Sequence, residues 1–287
     1  MNVLLTGAAG QVGRALAALV PAGVSVRALT RAQLDVTDAR AVAQAVAEAH
    51  PDLIINAAAY TQVERAEEEP ARAQAVNGEG PGHLARAARA AGARLVHIST
   101  DFVFDGTASV PYGPKAATRP LNVYGRTKRA GEEQVLALLP ERAVVLRTSW
   151  VYAPWGANFL KTMLRLMGSG QAVRVVADQV GTPTSARSLA RVIWQISARP
   201  ELGGVHHWSD AGVASWYDFA VAIAEEGRRR GILRADASVT PITTAEYPTR
   251  ARRPAYSVLD TRSLVMLTAP RHWRAELADV LDELARA

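Results

Sequence analysis

Cysteine is absent from the 287 residues. That excludes disulfides and thiolate-bound metals, and fits an enzyme of the reducing cytoplasm. Long apolar runs are absent too. None approaches the ~20 residues a membrane-spanning helix needs, and MNVLLTGAAG has no basic segment ahead of its short apolar run, so no signal peptide is expected. Low-complexity linkers and internal repeats are also lacking, which leaves one or two ordinary domains. Concentrated basic charge is scarce despite a net charge of +6. The basic residues are scattered and nearly all arginine. The one dense run, Arg228-Arg229-Arg230, follows an apolar helical pattern and precedes Gly231, so it reads as a solvated helix C-terminus. Nucleic acid is therefore not an expected partner, whereas a small anion such as a nucleotide diphosphate suits the excess charge. The six histidines lack acidic companions at metal-ligand spacing; His206-His207, ahead of Trp208, read as packing or loop residues, and no metal is expected.

What is present is ordinary for a globular chain, with 49% hydrophobic and 21% charged residues. The first half alternates strand and helix signals. Apolar runs VLLTG (3–7), VSVRALT (24–30), DLIINAA (52–58), RLVHIST (94–100) and AVVLRTSW (143–150) predict strands. Between them, residues 11–20, 38–49 (opened by Asp38 as N-cap), 68–91 and 121–138 predict helices, with Gly78, Gly80, Pro81 and Gly82 interrupting the third. Short apolar strands separated by helices specify an α/β fold with a doubly wound parallel sheet, Rossmann-like. After about residue 151 the rhythm loosens, with helices at 157–168, 185–198, 215–229 and 273–284 among Pro- and Gly-rich loops. The expected organisation is a dinucleotide-binding domain over 1–150 and a smaller substrate-binding lobe over 151–287, some segments of which return to the first domain. The ligand cleft would lie between them.

The turn after the first strand, TGAAGQVG, carries Gly7, Gly10 and Gly13 in GxxGxxG spacing, with Gln11 and Val12 opening the first helix. Glycines there let the backbone turn tightly and approach a pyrophosphate, whose charge then sits at the helix N-terminus. An acid ending the second strand would favour NAD; here Thr30-Arg31 stand there, and an arginine suits the extra phosphate of NADP. NADPH is the expected cofactor, with NADH left open. Asp35-Val36 either border the adenine or, for Asp35, cap a turn.

Ser99, Thr100 and Asp101 close a predicted central strand, on the side where open α/β sheets bind ligands. In LNVYGRTKRAGE (121–132), Tyr124 and Lys128 stand one helical turn apart on one face. A hydroxyl, a phenol and YxxxK following GxxGxxG together resemble the extended short-chain dehydrogenase/reductase family. NAAAYTQVERAEEEP (56–70), STDFVFDG (99–106), PLNVYGRTKRAGE (120–132), RTSWVY (147–152), ANFLKTM (157–163), DQVGTPT (178–184) and YPTRARRPAYSVLD (247–260) narrow the likeness to the dTDP-4-dehydrorhamnose reductase family, along most of the chain.

The resemblance implies reduction of the 4-keto group of a dTDP-linked 6-deoxyhexulose. Tyr124 would be the proton donor, Lys128 and the cofactor's positive charge would lower the phenol's pKa, Lys128 would also hold the nicotinamide ribose, and Thr100 would orient the carbonyl. It also places Ala59, Tyr60 and Thr61 along the cofactor, and Thr100, Asp101 and Trp150 against the sugar, with core packing the other reading of Trp150. Asn158, Gln179 and Arg253 are candidates for the diphosphate or for plain turn and surface roles. Two positions depart from the family. Phe102 replaces a frequent tyrosine, and Arg14-Ala15 replace an acid that in some relatives joins a metal-linked dimer, so no such metal is expected; a homodimer remains open. A 4,6-dehydratase would need a second acid beside Asp101, where Phe102 stands. An epimerase and a non-catalytic, reductase-like subunit are the remaining alternatives.

Overall fold

Leucine and β-branched runs bounded by glycine, asparagine and threonine form the strands of the first layer. The structure is a computed structural model that describes residues 1–234 and 238–286. In chain order the elements begin β1 (Asn2–Thr6), α1 (Gln11–Ala18), β2 (Ser25–Leu29), α2 (Ala39–Ala49), β3 (Leu53–Asn56), α3 (Val63–Glu68), α4 (Pro70–Gln74), α5 (Gly80–Ala91), β4 (Arg94–Thr100), α6 (Val123–Leu138) and β5 (Ala143–Thr148). They continue as β6 (Val151–Tyr152), α7 (Phe159–Gly168), β7 (Val173–Val176), β8 (Val180–Gly181), β9 (Thr184–Ser185), α8 (Ala186–Ser197), β10 (Gly204–His207), β11 (Ala214–Ser215), α9 (Trp216–Arg229), β12 (Val239–Ile242) and α10 (Trp273–Arg286).

Six strands form one parallel sheet in the order β2-β1-β3-β4-β5-β10. Helices cover both faces, so central strands such as β3 and β5 are buried along their whole length, as an all-parallel sheet demands. One face packs Val3, Leu5, Ile55 and Leu146 against Leu16 of α1 and Leu189 and Ile193 of α8. The other packs Leu4, Ile54 and Val145 against Val46 of α2, Leu84 of α5 and Val135 of α6. Each such side chain contributes roughly 1.5–3 kcal/mol of burial free energy. Among the described residues, no helix is long and apolar enough to cross a membrane.

The five strands read in the first half are all present, and the second half adds the sixth. His206 and His207 belong to that edge strand rather than a loop, and α8 lies on the same layer. Asp38 caps α2, accepting from the amides of Arg40 at 2.9 Å and Ala41 at 3.0 Å. The expected break at Gly78–Gly82 does not occur. The chain passes from α4 through a π-helical turn, Ala75–Glu79, straight into α5, and breaks earlier, between α3 and Pro70. Close packing explains these glycines. A side chain on Gly82 would overlap Gln134 of α6, and one on Gly131 of α6 would overlap the Asn77 carbonyl.

The second cluster of helices, α7, α9 and α10, closes around Leu160, Met163, Phe219, Ile223, Leu277 and Leu281, edged by the short pair β7–β12. The arginine run does end α9, but Arg230 is not simply solvated: it reaches Asp282 of α10 at 2.6 Å.

Candidate active site

At the C-terminal edge of β1 the chain turns on Gly7, whose φ of +70° only glycine adopts without strain. A Cβ there would also lie 2.5 Å from the Ala58 amide nitrogen, and one on Gly13 would overlap the Gly7 carbonyl. Gly10 is the N-cap of α1 and supplies no side chain to its first amides. The result is a bare helix N-terminus beside a cavity of about 180 Å³, whose lining includes Gly7, Gly10, Arg31, Asp35, Val36 and Tyr60. Ala59 lines it as well, and so do Leu34, Ala58 and Val76, which the sequence reading did not single out.

Arg31 is largely exposed, with its guanidinium 3.6 Å from Asp35. Asp35 has both roles considered for it. It borders the cavity and also caps a turn, accepting from the Thr37 amide at 3.0 Å and hydroxyl at 2.8 Å, an interaction that holds its carboxyl below the usual range. Thr30 is tied to Gln33 through its amide and hydroxyl, both at 2.9 Å. Tyr60 is fixed by Asn77, which accepts from its amide at 2.8 Å and donates to its carbonyl at 3.0 Å; Thr61 beyond it is exposed. Val12 packs into the core, while Gln11 accepts from Asn158 at 2.8 Å.

The other half of the site stands where β4 ends. Thr100, the last residue of β4, and Tyr124 and Lys128, in the first two turns of α6, come together there. Three features hold α6 against the strand. Asn122 caps it, accepting from the Gly125 amide at 2.8 Å, and also donates to the Arg252 carbonyl at 2.8 Å. Gly125 sits so close to the Phe102 carbonyl that a side chain would overlap it. Phe102 meets Tyr124 edge-on, with ring centroids 5.8 Å apart, so the ring that replaces the family's tyrosine supports the phenol by packing.

Lys128 is 2% exposed and donates to the Ile98 carbonyl at 2.6 Å. Burial brings its pKa down to about 8, opposed by Glu132 one turn along α6. Glu132 is itself engaged by Arg147 of β5 in a buried bidentate pair, at 2.9 and 2.6 Å. His97, fully buried beside Asn56, is held well below its ordinary pKa by burial and by the Lys128 charge.

The protein's own groups do not lower the phenol's pKa. Burial pushes Tyr124 up to about 12, the Thr100 hydroxyl pulls the other way, and Asp101 adds a smaller rise. The physical reason is desolvation in a site where the lysine ammonium is turned to a carbonyl on β4. Asp101 is 2% exposed, as buried as Lys128.

Beside this centre, α7, α9 and β7 wall a cavity of about 510 Å³, lined by apolar Phe159, Met163, Leu166 and Trp216. Gln179, Arg253, Arg174, Tyr247 and Thr249 supply its polar rim. Arg253 is held by Glu64 of α3 at 2.6 Å, and Gln179 donates to the Thr244 hydroxyl at 3.1 Å. The strap from Arg250 to Arg253 runs from this cavity to the N-termini of α3 and α6, where Glu64 accepts from the Arg250 amide at 2.9 Å. Trp150 does not line the cavity itself. It stacks on Trp216 with centroids 3.6 Å apart and an interplanar angle of 6°. Its backbone is left-handed, with φ of +45°, a strained state of order 1–3 kcal/mol that surrounding packing must hold. Asn158 lies apart from the cavity and caps α7; its amide donates to Gln11, Ala153 and Trp155, and its oxygen accepts from Lys161.

The sequence reading missed the positioning asparagines. Asn122 carried a usable signal, an N-cap residue just ahead of a helical run. Asn77 gave none, because its partners are distant in sequence.

Comparison with known proteins agrees along the whole length. A family model described as RmlD substrate binding domain matches residues 1–286. The dTDP-4-dehydrorhamnose reductase of Streptomyces griseus is 45% identical over 284 residues, covering 96% of this chain and 91% of its own. Among solved structures, a dTDP-4-dehydrorhamnose reductase from Clostridium acetobutylicum superposes with a TM-score of 0.92 at 42% identity, covering 99% of each chain. The dTDP-4-dehydrorhamnose reductase of Bacillus anthracis, solved in complex with NADP, also gives 0.92 at 35% identity, covering 98% of this chain and 99% of its own.

Proposed function

The chain belongs to the dTDP-4-dehydrorhamnose reductase family, and from that premise we propose that it reduces the 4-keto group of dTDP-6-deoxy-L-lyxo-4-hexulose to dTDP-L-rhamnose, with NADPH as reductant. One observation carries this reading. A phenol, a hydroxyl and a buried lysine converge at the end of β4, in the same sheet edge as a glycine cradle that admits no Cβ.

Gly7, Gly10 and Gly13 would hold the pyrophosphate, Arg31 the adenosine-side phosphate, and Lys128 the nicotinamide ribose. The cofactor supplies the hydride that reaches C4. Thr100 donates a hydrogen bond to the carbonyl oxygen and fixes its orientation. Tyr124 gives that oxygen its proton. The phenol is protonated at neutral pH, and the charges of Lys128 and of the bound cofactor would bring its pKa toward the working pH. The apolar cavity behind Trp216, with Arg253 and Gln179 at its rim, takes the nucleotide end of the substrate. Arg31, exposed and paired only loosely with Asp35, favours NADPH over NADH.

The test is oxidation of NADPH and of NADH with the dTDP-linked 4-keto-sugar, beside GDP- and UDP-linked 4-keto-sugars. Turnover fastest with NADPH and the dTDP substrate is the expected result. Tightly bound NAD in the purified protein, with interconversion of sugar epimers, would assign it to the epimerases on this scaffold instead.

A further inference from the structure

Neither the glycine cradle nor the proton-donor centre uses the acidic segment from Glu64 to Glu69. Glu64 and Glu67 stand one turn apart on the same face of α3. They hold different partners. Glu64 accepts from the Arg250 amide at 2.9 Å and the Ala251 amide at 3.4 Å, and its other oxygen lies 2.6 Å from the Arg253 guanidinium. Glu67 accepts at 2.7 Å from the amide of Val123, the first residue of α6. One short helix thus grips both the strap at the substrate cavity and the start of the helix that carries Tyr124.

Asn122 joins those two elements directly. Its oxygen caps α6 by accepting from the Gly125 amide at 2.8 Å, and its amide nitrogen donates to the Arg252 carbonyl at 2.8 Å. The residue is 1% exposed, so water does not compete for either bond. Tyr124 follows two residues later. On the strap side, Arg253 follows the bonded carbonyl and lines the cavity of about 510 Å³, together with Tyr247 and Thr249 of the same segment. The strap is also seated from behind. Ala251 is fully buried, and Gly106, in the loop after β4, leaves no room for a side chain against Pro254 and Ala255.

We propose that Asn122 is a positioning residue that fixes the register between the cavity taking the nucleotide end of the substrate and the phenol that protonates its far end. The proposal rests on both of those assignments. A substrate anchored by its nucleotide presents its carbonyl to Tyr124 only if the strap and α6 keep their spacing. A misplacement of about 1 Å at a reacting centre costs on the order of 100-fold in rate. A single side chain bonded to both elements sets that spacing. Because it holds a backbone carbonyl, the tie is independent of the exposed Arg252 side chain.

Capping and spanning are separable by substitution. Serine and aspartate both cap helices, but Asn122→Ser is too short to reach the strap as well, and Asn122→Asp sets an acceptor against the Arg252 carbonyl. Asn122→Ala loses both bonds. The melting temperature is expected to fall in Asn122→Ala and to recover in the other two. In all three, kcat is expected about tenfold or more below wild type, with KM for the dTDP-sugar within about twofold. NADPH affinity stays near that of wild type. Recovery of kcat together with the cap, or a loss confined to KM, overturns the proposal, since Asn122 then only caps α6. A crystal structure of wild type with NADP⁺ and dTDP gives a second measurement that does not depend on how the variants fold. An Asn122 amide still about 3 Å from the Arg252 carbonyl supports the register, and a separated pair overturns it. If wild type does not reduce the dTDP-linked keto-sugar, or Tyr124→Phe remains active, the underlying reading falls and the register with it. If reduction is confirmed and Asn122→Ser keeps its kcat, the register alone fails.

Discussion

The sheet edge and the second cavity are built on opposite principles. At the end of β4 the functional groups are dry and fixed. Lys128, Thr100 and Asp101 are all at most 5% exposed, and burial moves the lysine, the phenol and the carboxyl of this centre far from their ordinary pKa values. Around the larger cavity the walls are apolar and the charges lie at the rim, already paired with carboxylates: Arg253 with Glu64, Arg174 with Glu246. Desolvation magnifies every electrostatic term at the sheet edge, whereas rim pairs of this kind are worth little and exchange partners readily. Proton chemistry suits the first region, and recognition of a charged ligand suits the second.

This contrast can be broken by mutation. The largest effect expected is from Tyr124→Phe, which should lower kcat about 1,000-fold, at the scale of general acid catalysis, with NADPH affinity by fluorescence titration near wild type. Activity within tenfold of wild type would dissolve the distinction between the two regions. Next comes Glu132→Gln, which leaves the Arg147 guanidinium buried without its carboxylate. Chemical denaturation should show a loss of about 3–5 kcal/mol; a loss under about 1 kcal/mol would mean that this part of the sheet edge is wetter than the geometry implies.

In the lobe, Arg253→Ala should raise KM for the dTDP-sugar roughly tenfold, the scale of a charge-assisted hydrogen bond, with kcat nearly unchanged. A fall in kcat alone would place Arg253 with the chemistry. Smaller again, Arg31→Ala should narrow the preference for NADPH over NADH by several-fold, and equal losses with both cofactors would refute its phosphate role.

The subtlest comparison uses two acids. Asp210, beneath the lobe, is raised to about 7 by burial, as Asp101 is. A carboxyl whose pKa is raised on folding contributes stability that is fully present below its unfolded pKa and is lost as pH rises through the folded value. Asp210→Asn should therefore flatten the decline in melting temperature between about pH 4 and 8 while leaving the pH profile of kcat untouched. A changed kcat profile would join the two regions functionally.

Much of the sheet edge was legible residue by residue. Gly7, Gly10 and Gly13 announced a tight turn between strand and helix, and at Gly7 and Gly13 the backbone packs too closely for a side chain. Tyr124 and Lys128 shared a face because a helix repeats every 3.6 residues. The second region was legible only in part. Gln179 and Arg253 do border its cavity, yet Asn158 caps α7 and Trp150 stands behind Trp216. Loops brought together from residues 159 to 253 have no period for a sequence to display.

By itself, then, the chain determined its first five strands, most of its helices, the glycine turn and the Tyr–Lys face, all of which follow from local steric and hydrophobic periodicity. Only tertiary structure decided the ionisation of the site. Lys128 donates to a backbone carbonyl, and Tyr124 and Asp101 are both pushed up, because desolvation depends on what the whole fold packs around each group.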